Sequence, residues 1–215
     1  MRGIEQIPPL YDALMAITDR VGLWKLRAWL VAGARGRTLE VGCGTGRNLP
    51  RYPSVAHLVG IDPALDSLRR ARRRAPDVPL VCAKAEALPF REKSFDTVAI
   101  SLVLCSVPDP GSALAEVRRV LRDPGALRML EHVRSERRWE ARLQDFIQPA
   151  WTRITGGCHP NRDTEAAVRR AAFRIDERRA NRNLRRLVTR KADWPERSRV
   201  AALNHVAAAP THVPG

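Results

Sequence analysis

The sequence has no C-x-x-C pair and no His/Cys cluster with zinc-ligand spacing; Cys43, Cys82, Cys105 and Cys158 stand far apart. Nothing therefore supports a redox dithiol or a zinc site. The expectation is free thiols in a reducing compartment, in a cytoplasmic protein without a metal. No apolar run approaches the roughly 20 residues that a membrane-spanning helix needs; the longest weakly charged stretch is Thr97 to Pro108. The N-terminus carries Glu5, Asp12 and Asp19 among apolar residues, unlike a signal peptide, so a soluble chain is expected. Aromatic residues make up 5%, and none interleave with the basic ones in the way that base stacking requires. There is no G-K-[ST] phosphate loop, no G-x-G-x-x-G and no internal repeat.

What is present suits one domain with an added cap: 215 residues, 44% of them hydrophobic and 28% charged, a balance that excludes global disorder. The formal net charge is +15, nearly all of it from arginine. This reads either as attraction to an anionic partner or as arginine-rich solvated faces. The scatter of the basic residues favours the second, and membrane contact is not indicated.

Residues 1–36 read as helical, because Leu10, Leu14, Ile17 and Val21, then Leu23, Leu26 and Leu30, recur at helical spacing. Pro8-Pro9 blocks a helix before Leu10, and Gly33 and Gly36 end it. The segment is either a helix on a sheet edge or a cap over a ligand. Strands follow at 38–42, 57–61, 78–83, 95–104 and 126–130. Helices are expected at 64–75 and at 112–121, with Ser112 as N-cap, and again at 136–155 and 164–173. Repeated strand–helix alternation predicts an α/β fold: a Rossmann-like, mostly parallel sheet with helices on both faces. After residue 173 the period is lost. Residues 174–199 hold ten Arg/Lys against four Asp/Glu, which suits an irregular strand pair, an exposed helix or a disordered tail.

The chemistry centres on Glu40-Val41-Gly42-Cys43-Gly44-Thr45-Gly46, a strand end with a glycine at every second position and a carboxylate at the loop mouth. Alternate glycines admit a sharp turn and a close ligand. Asp62-Pro63 lies 22 residues beyond Glu40, at the tip of the next strand. A carboxylate there only accepts hydrogen bonds, which suits the two hydroxyl donors of a ribose. G-x-G-x-G is not the dinucleotide spacing, and Glu40 would sit poorly beside a pyrophosphate. It suits a cofactor carrying a sulfonium and an amine, such as S-adenosylmethionine.

These blocks, with Ala85-Glu86-Ala87-Leu88-Pro89-Phe90 and Ser94-Phe95-Asp96, resemble class I S-adenosylmethionine-dependent methyltransferases, in the branch that includes quinone-biosynthesis enzymes. The likeness covers about residues 10–173. It implies a seven-stranded sheet, Glu40 near the donor's amino group, and Gly42, Cys43, Gly44, Thr45 and Gly46 around its methionine part. It also implies Asp62 and Pro63 at the ribose, Ala85 and Glu86 beside the adenine, Leu102 with its backbone on the donor, and Tyr11 as a capping tyrosine. Three features depart from the pattern: Lys84 before the Ala-Glu pair, Asp123-Pro124-Gly125 in place of Pro-Gly-Gly, and the stretch after residue 173. The expected division is a helical cap at 1–36, a donor-binding core at 37–173 and a basic segment at 174–215.

Leu102-Val103-Leu104-Cys105-Ser106-Val107, Glu131-His132-Val133, Pro149-Ala150-Trp151 and Gly157-Cys158 with Arg162 further resemble thiol S-methyltransferases and their bacterial relatives. The expected reaction is methyl transfer to a small molecule, a thiol or a quinone- or lipid-like acceptor. A nucleic-acid methyltransferase is the alternative suggested by charge, and a non-catalytic donor-binding protein the one suggested by the C-terminus. A thiol must lose its proton to react. By position His132 is the first candidate base, followed by Asp109 and His159; Cys158, His159 and Arg162 are candidates for the acceptor side. Each also has a structural reading: Asp109, between two prolines, is a good turn residue, and Cys158 and Arg162 could simply brace a helix junction.

Overall fold

The computed structural model describes residues 3–4, 7–53, 55, 57–181 and 183–192. The elements, in order, are α1 (Pro8–Thr18), α2 (Trp24–Ala32), β1 (Arg37–Val41), β2 (His57–Asp62), α3 (Leu65–Arg74), β3 (Leu80–Cys82) and β4 (Phe95–Ser101). They continue with α4 (Pro110–Val120), β5 (Leu121–His132), α5 (Arg138–Thr155), α6 (Thr164–Arg170), β6 (Phe173–Asn181) and β7 (Leu184–Lys191). The sheet runs β3-β2-β1-β4-β5-β7-β6. The first five strands are parallel, and β7 lies antiparallel to both β5 and β6. Strand order reverses between β1 and β4, the switch point where open α/β sheets bind ligands.

The central strands are buried because both faces are covered. All seven β4 residues but Asp96 are buried, and α4 adds Ala113, Leu114, Val117 and Val120 to the same core. Asp109, not Ser112, caps α4: its carboxylate accepts from the Gly111 N–H at 2.9 Å and the Ser112 hydroxyl at 2.5 Å. Pro8 and Pro9 open α1 rather than delaying it, since proline is tolerated where the first helical N–H groups have no partner. Between α1 and α2 the chain passes through a π-helical turn, Asp19–Leu23, kinked at Gly22 (φ +117°).

The C-terminal region corrects the expectation of an irregular segment. Through residue 191 it forms the last two strands; residues 193–215 lie outside the described residues. Arg185, Arg190 and Lys191 are buried strand residues that pair with Glu165 (3.1 Å), Asp176 (2.5 Å) and Asp123 (3.0 Å). Their aliphatic stems occupy positions that an apolar side chain would otherwise mark. Glu165→Ala removes the carboxylate that Arg169, Arg178 and Arg185 share, and leaves the Arg185 guanidinium, 3% exposed, to the exposed Glu136 at 3.1 Å. A loss of about 3 kcal/mol is expected in urea unfolding. Asp66→Ala, which removes an exposed pair with Arg69, should stay within about 0.5 kcal/mol of the parent.

Candidate active site

The glycine loop leaves the end of β1 at the switch point. Gly42, Gly44 and Gly46 all have positive φ (+67°, +53° and +81°). Their surroundings differ. A Cβ on Gly42 would lie 2.4 Å from Val103 Cγ2, and one on Gly46 would lie 2.8 Å from the Ala71 backbone of α3. One on Gly44 would enter open space. Gly42 and Gly46 thus let the loop pack closely, while Gly44 leaves room above it. The Gly44 N–H donates to Asp62 Oδ2 at 2.9 Å, and the Ala64 N–H donates to Oδ1 at 2.9 Å. These bonds aim the Asp62 carboxylate, although burial pushes its pKa up.

Beneath the loop lies a buried polar network. Asn48 Nδ2 donates to Glu40 Oε1 at 2.7 Å, and Arg27 donates to Asn48 Oδ1 at 3.1 Å and Ser101 Oγ at 3.3 Å. Arg27 and Arg47 both pair with Asp19. Glu40 is 1% exposed, and its carboxyl faces the buried Tyr52 hydroxyl without a well-aligned hydrogen bond from it. Burial pushes its carboxyl up to about 7, against the Asn48 hydrogen bond and the Arg27 charge. In the ligand-free protein a raised folded pKa stabilises at low pH and is lost as pH rises through about 7. A cation bound above the loop reverses the preference, because it favours the ionised form. Donor affinity should therefore rise from pH 6 to pH 8, and Glu40→Gln should flatten that slope in calorimetric titrations.

The cap is fixed by Asp12 of α1. It accepts from the Thr45 hydroxyl at 2.7 Å and pairs with Arg47, Arg70 and Arg74. Burial opposes ionisation, but the Arg74 and Thr45 hydrogen bonds and the arginine charges outweigh it and hold the carboxyl below its usual range. This anchoring brings Tyr11 over the loop. The Ala85–Phe90 loop is pinned by α4: the Leu88 N–H donates to Glu116, and Arg119 donates to the Leu88 and Phe90 carbonyls.

Together these parts enclose a cavity of about 840 Å³, within the usual range for small-molecule sites of about 300–1,000 Å³. Tyr11, Gly42, Gly44, Asp62, Pro63, Ala85, Glu86, Leu102, His132 and Cys158 line it, as does Lys84. The other expected site residues do not. Glu40 lies under the floor, Cys43 packs in the core, the Thr45 hydroxyl is spent on Asp12, and Gly46 faces α3. Asp109 is a helix cap, with its carboxyl held down chiefly by the Ser112 hydroxyl. The His159 Nδ1 is 2.7 Å from the Gly157 carbonyl. Arg162 donates to the Leu104 and Val107 carbonyls at 2.6 Å, so it braces the loop after β4.

That loop is the feature spacing could not reveal. Leu102 has φ +59°, a strained value for leucine of the kind that clusters at functional sites. Glu131, fully buried, accepts from the Val103 and Leu104 N–H groups at 2.8 and 3.1 Å. The turn it fixes brings Cys105 to the wall beside His132 and Cys158. Cys158 is the more acidic thiol, held down first by its hydrogen bond with Cys105 and then by His132 and Trp151, while the same contact and burial push Cys105 up.

The site fits S-adenosylmethionine on these observations: a carboxylate at the ribose position, open space over Gly44, and the buried Glu40 carboxyl beneath the loop. Comparison with known proteins agrees. A methyltransferase-domain family profile matches residues 39–129. The human thiol S-methyltransferase TMT1A is 33% identical over 172 residues, spanning 76% of this chain and 70% of that protein. The demethylmenaquinone methyltransferase of Renibacterium salmoninarum is 36% identical over 135 residues, 59% and 56% of the two chains. A crystal structure of an S-adenosylmethionine-dependent methyltransferase from Mesorhizobium loti shares the fold, with a TM-score of 0.61 at 17% identity over 78% of this chain and 97% of that one. Fold, donor cradle and relatedness agree, and the chain belongs to the class I S-adenosylmethionine-dependent methyltransferases.

Proposed function

We propose that this enzyme methylates the sulfur of a small apolar thiol. The observation that carries the reading is the stretch of cavity wall where His132 lies beside two cysteines, in a largely apolar cavity. Leu14, Met15 and Trp151 line the same space, and α1 and α5 expose further apolar side chains, among them Leu10, Ile17 and Phe146. Such a lining admits an apolar acceptor and excludes water. The likeness to a thiol S-methyltransferase points the same way.

When bound, S-adenosylmethionine supplies a methyl group on a positively charged sulfur, open to in-line displacement by a nucleophile. Asp62, kept aimed by its own two N–H contacts, would accept hydrogen bonds from the ribose hydroxyls. Gly42 and Gly44 would hold the methionine part, Ala85 and Glu86 the adenine, and Tyr11 would close the cavity. In the metal-free protein the His132 imidazole takes the proton of the acceptor thiol, leaving the thiolate that reacts.

Methyl transfer from labelled donor to a panel of alkyl and aryl thiols, quinols and phosphatidylethanolamine tests this. Thiols are expected to turn over, and His132→Ala to lower kcat/KM by about 100-fold with donor affinity unchanged. Exclusive methylation of quinols or of the lipid amine would overturn the thiol assignment. So would a His132→Ala enzyme as fast as the parent.

A further inference from the structure

Cys105, His132 and Cys158 come from three separate places: the loop after β4, the end of β5 and the turn after α5. One ligand atom from each lies within 4.8 Å of the other two. Both cysteines are buried and the histidine is half-buried, and all three line the donor cavity. Their placement is fixed by contacts independent of the trio. Glu131 holds the loop that carries Cys105, and β5 carries His132 in register with Leu184 of β7. The Cys158 N–H donates to the Thr155 hydroxyl at 3.2 Å, and the Thr152 hydroxyl donates to the Cys158 carbonyl at 2.8 Å. The His159 N–H donates to the Cys105 carbonyl at 2.8 Å and ties the two cysteine-bearing segments together.

The geometry points to a Zn²⁺ site formed by Cys105, His132 and Cys158, with its fourth position open to the cavity and available to the sulfur of the acceptor thiol. This deepens the thiol reading and rests on it. Two thiolates and an imidazole form a soft donor set that favours Zn²⁺ over Mg²⁺, Ca²⁺ or Mn²⁺. Three protein ligands with one open position are the form of a catalytic rather than a structural zinc. Zinc–sulfur bonds of about 2.3 Å and zinc–nitrogen bonds of about 2.0–2.1 Å, arranged tetrahedrally, place ligand atoms about 3.5–3.8 Å apart. Atoms within 4.8 Å need to close by about 1.3 Å at most, which side-chain rotation achieves without moving backbone. Two thiolates neutralise the ion, so the loaded site adds no net charge to the wall. With the ion in place His132 is a ligand rather than a base. The thiol proton then leaves to solvent as the thiol binds, since a coordinated thiol is held as thiolate.

The test uses the full chain, reduced and stripped of metal. Co²⁺ is titrated first and then displaced by Zn²⁺. One equivalent of Co²⁺ is expected, with thiolate-to-cobalt absorption and the visible bands of a tetrahedral ion. Cys105→Ser and Cys158→Ser should each weaken Zn²⁺ binding by at least about 100-fold. Cys82→Ser, at the exposed cysteine outside the trio, should leave metal binding as it is. Donor binding by calorimetry reports whether each variant is folded. Absence of stoichiometric binding to the parent overturns the site, as does a cobalt spectrum that survives in the Cys105→Ser/Cys158→Ser double variant. Thiol methylation undiminished by exhaustive chelation also overturns it, and leaves the thiol reading standing. A stoichiometric cobalt site whose bands shift on adding an alkyl thiol supports both; bands indifferent to thiol overturn the acceptor-binding position.

Discussion

Asp62→Ala is expected to weaken S-adenosylmethionine binding by about 100-fold in a calorimetric titration. The carboxylate is held by two backbone N–H groups, each at 2.9 Å, and keeps lone pairs for the ribose. Hydrogen bonds to a charged group are worth about 1.5–3 kcal/mol each, so the loss of a ribose clamp amounts to about 3 kcal/mol. Removal also frees the Gly44 N–H, so the loop loses its tie to β2 at the same time. Asp62→Asn separates the two effects. Its amide nitrogen must face one of the two N–H groups, donor against donor, while its oxygen still accepts from the other. A loss of about 10-fold is expected for that variant. Donor affinity within threefold of the parent in Asp62→Ala would remove Asp62 from the site.

The second large effect separates two glycines that look equivalent in the sequence. Gly42→Ala combines a positive φ with a Cβ 2.4 Å from Val103 Cγ2. Left-handed backbone costs about 1–2 kcal/mol for alanine, and overpacking typically adds about 1–3 kcal/mol. Val103 belongs to the loop that Glu131 holds, and its Cγ1 and Cβ also lie within 3.3 Å, so backbone retreat strains the Glu131 hydrogen bond and rotation of the side chain brings another group into the same space. Gly42→Ala should therefore unfold at lower urea by about 3 kcal/mol. Gly44→Ala meets nothing within 4 Å among the described residues. It should cost only the backbone preference, about 1 kcal/mol, yet its methyl group takes up room above the loop. Donor binding should fall by at least about 30-fold while the fold stays near the parent's stability. Equal effects of the two substitutions on stability would contradict the packing described for this loop.

The exposed hairpin arginines and the buried ones show where reading a sequence stops. Val98, Ala99 and Ile100 announce a buried strand, because an apolar run has few other uses. Arg185, Arg190 and Lys191 announce solvent, yet they lie at 3%, 4% and 6% exposure in β7. What makes them strand residues is a set of carboxylates, Glu165, Asp176 and Asp123, delivered from α6, β6 and β5. No local pattern encodes that pairing. Asp109 shows the same limit from the other side. Its place between prolines suited either a base or a turn residue, and the Gly111 N–H and Ser112 hydroxyl settle it as a cap.

The sequence by itself determined the donor half of this protein. A strand, alternate glycines and an acid at the next strand tip are local features, and their chemistry follows from backbone freedom and from carboxylates as acceptors. Only the tertiary structure decided the rest. It put Glu40 beneath the loop rather than at its mouth, because Asn48 and Arg27 are buried there. It tied the cap to the core through Asp12 and three arginines. It brought Cys105, His132 and Cys158 together from segments with no shared spacing. The acceptor wall was not legible because its residues are neighbours only after β5 has paired with β4 and the turn after α5 has folded back across that edge. Contacts between distant segments belong to the topology and leave no period in the chain.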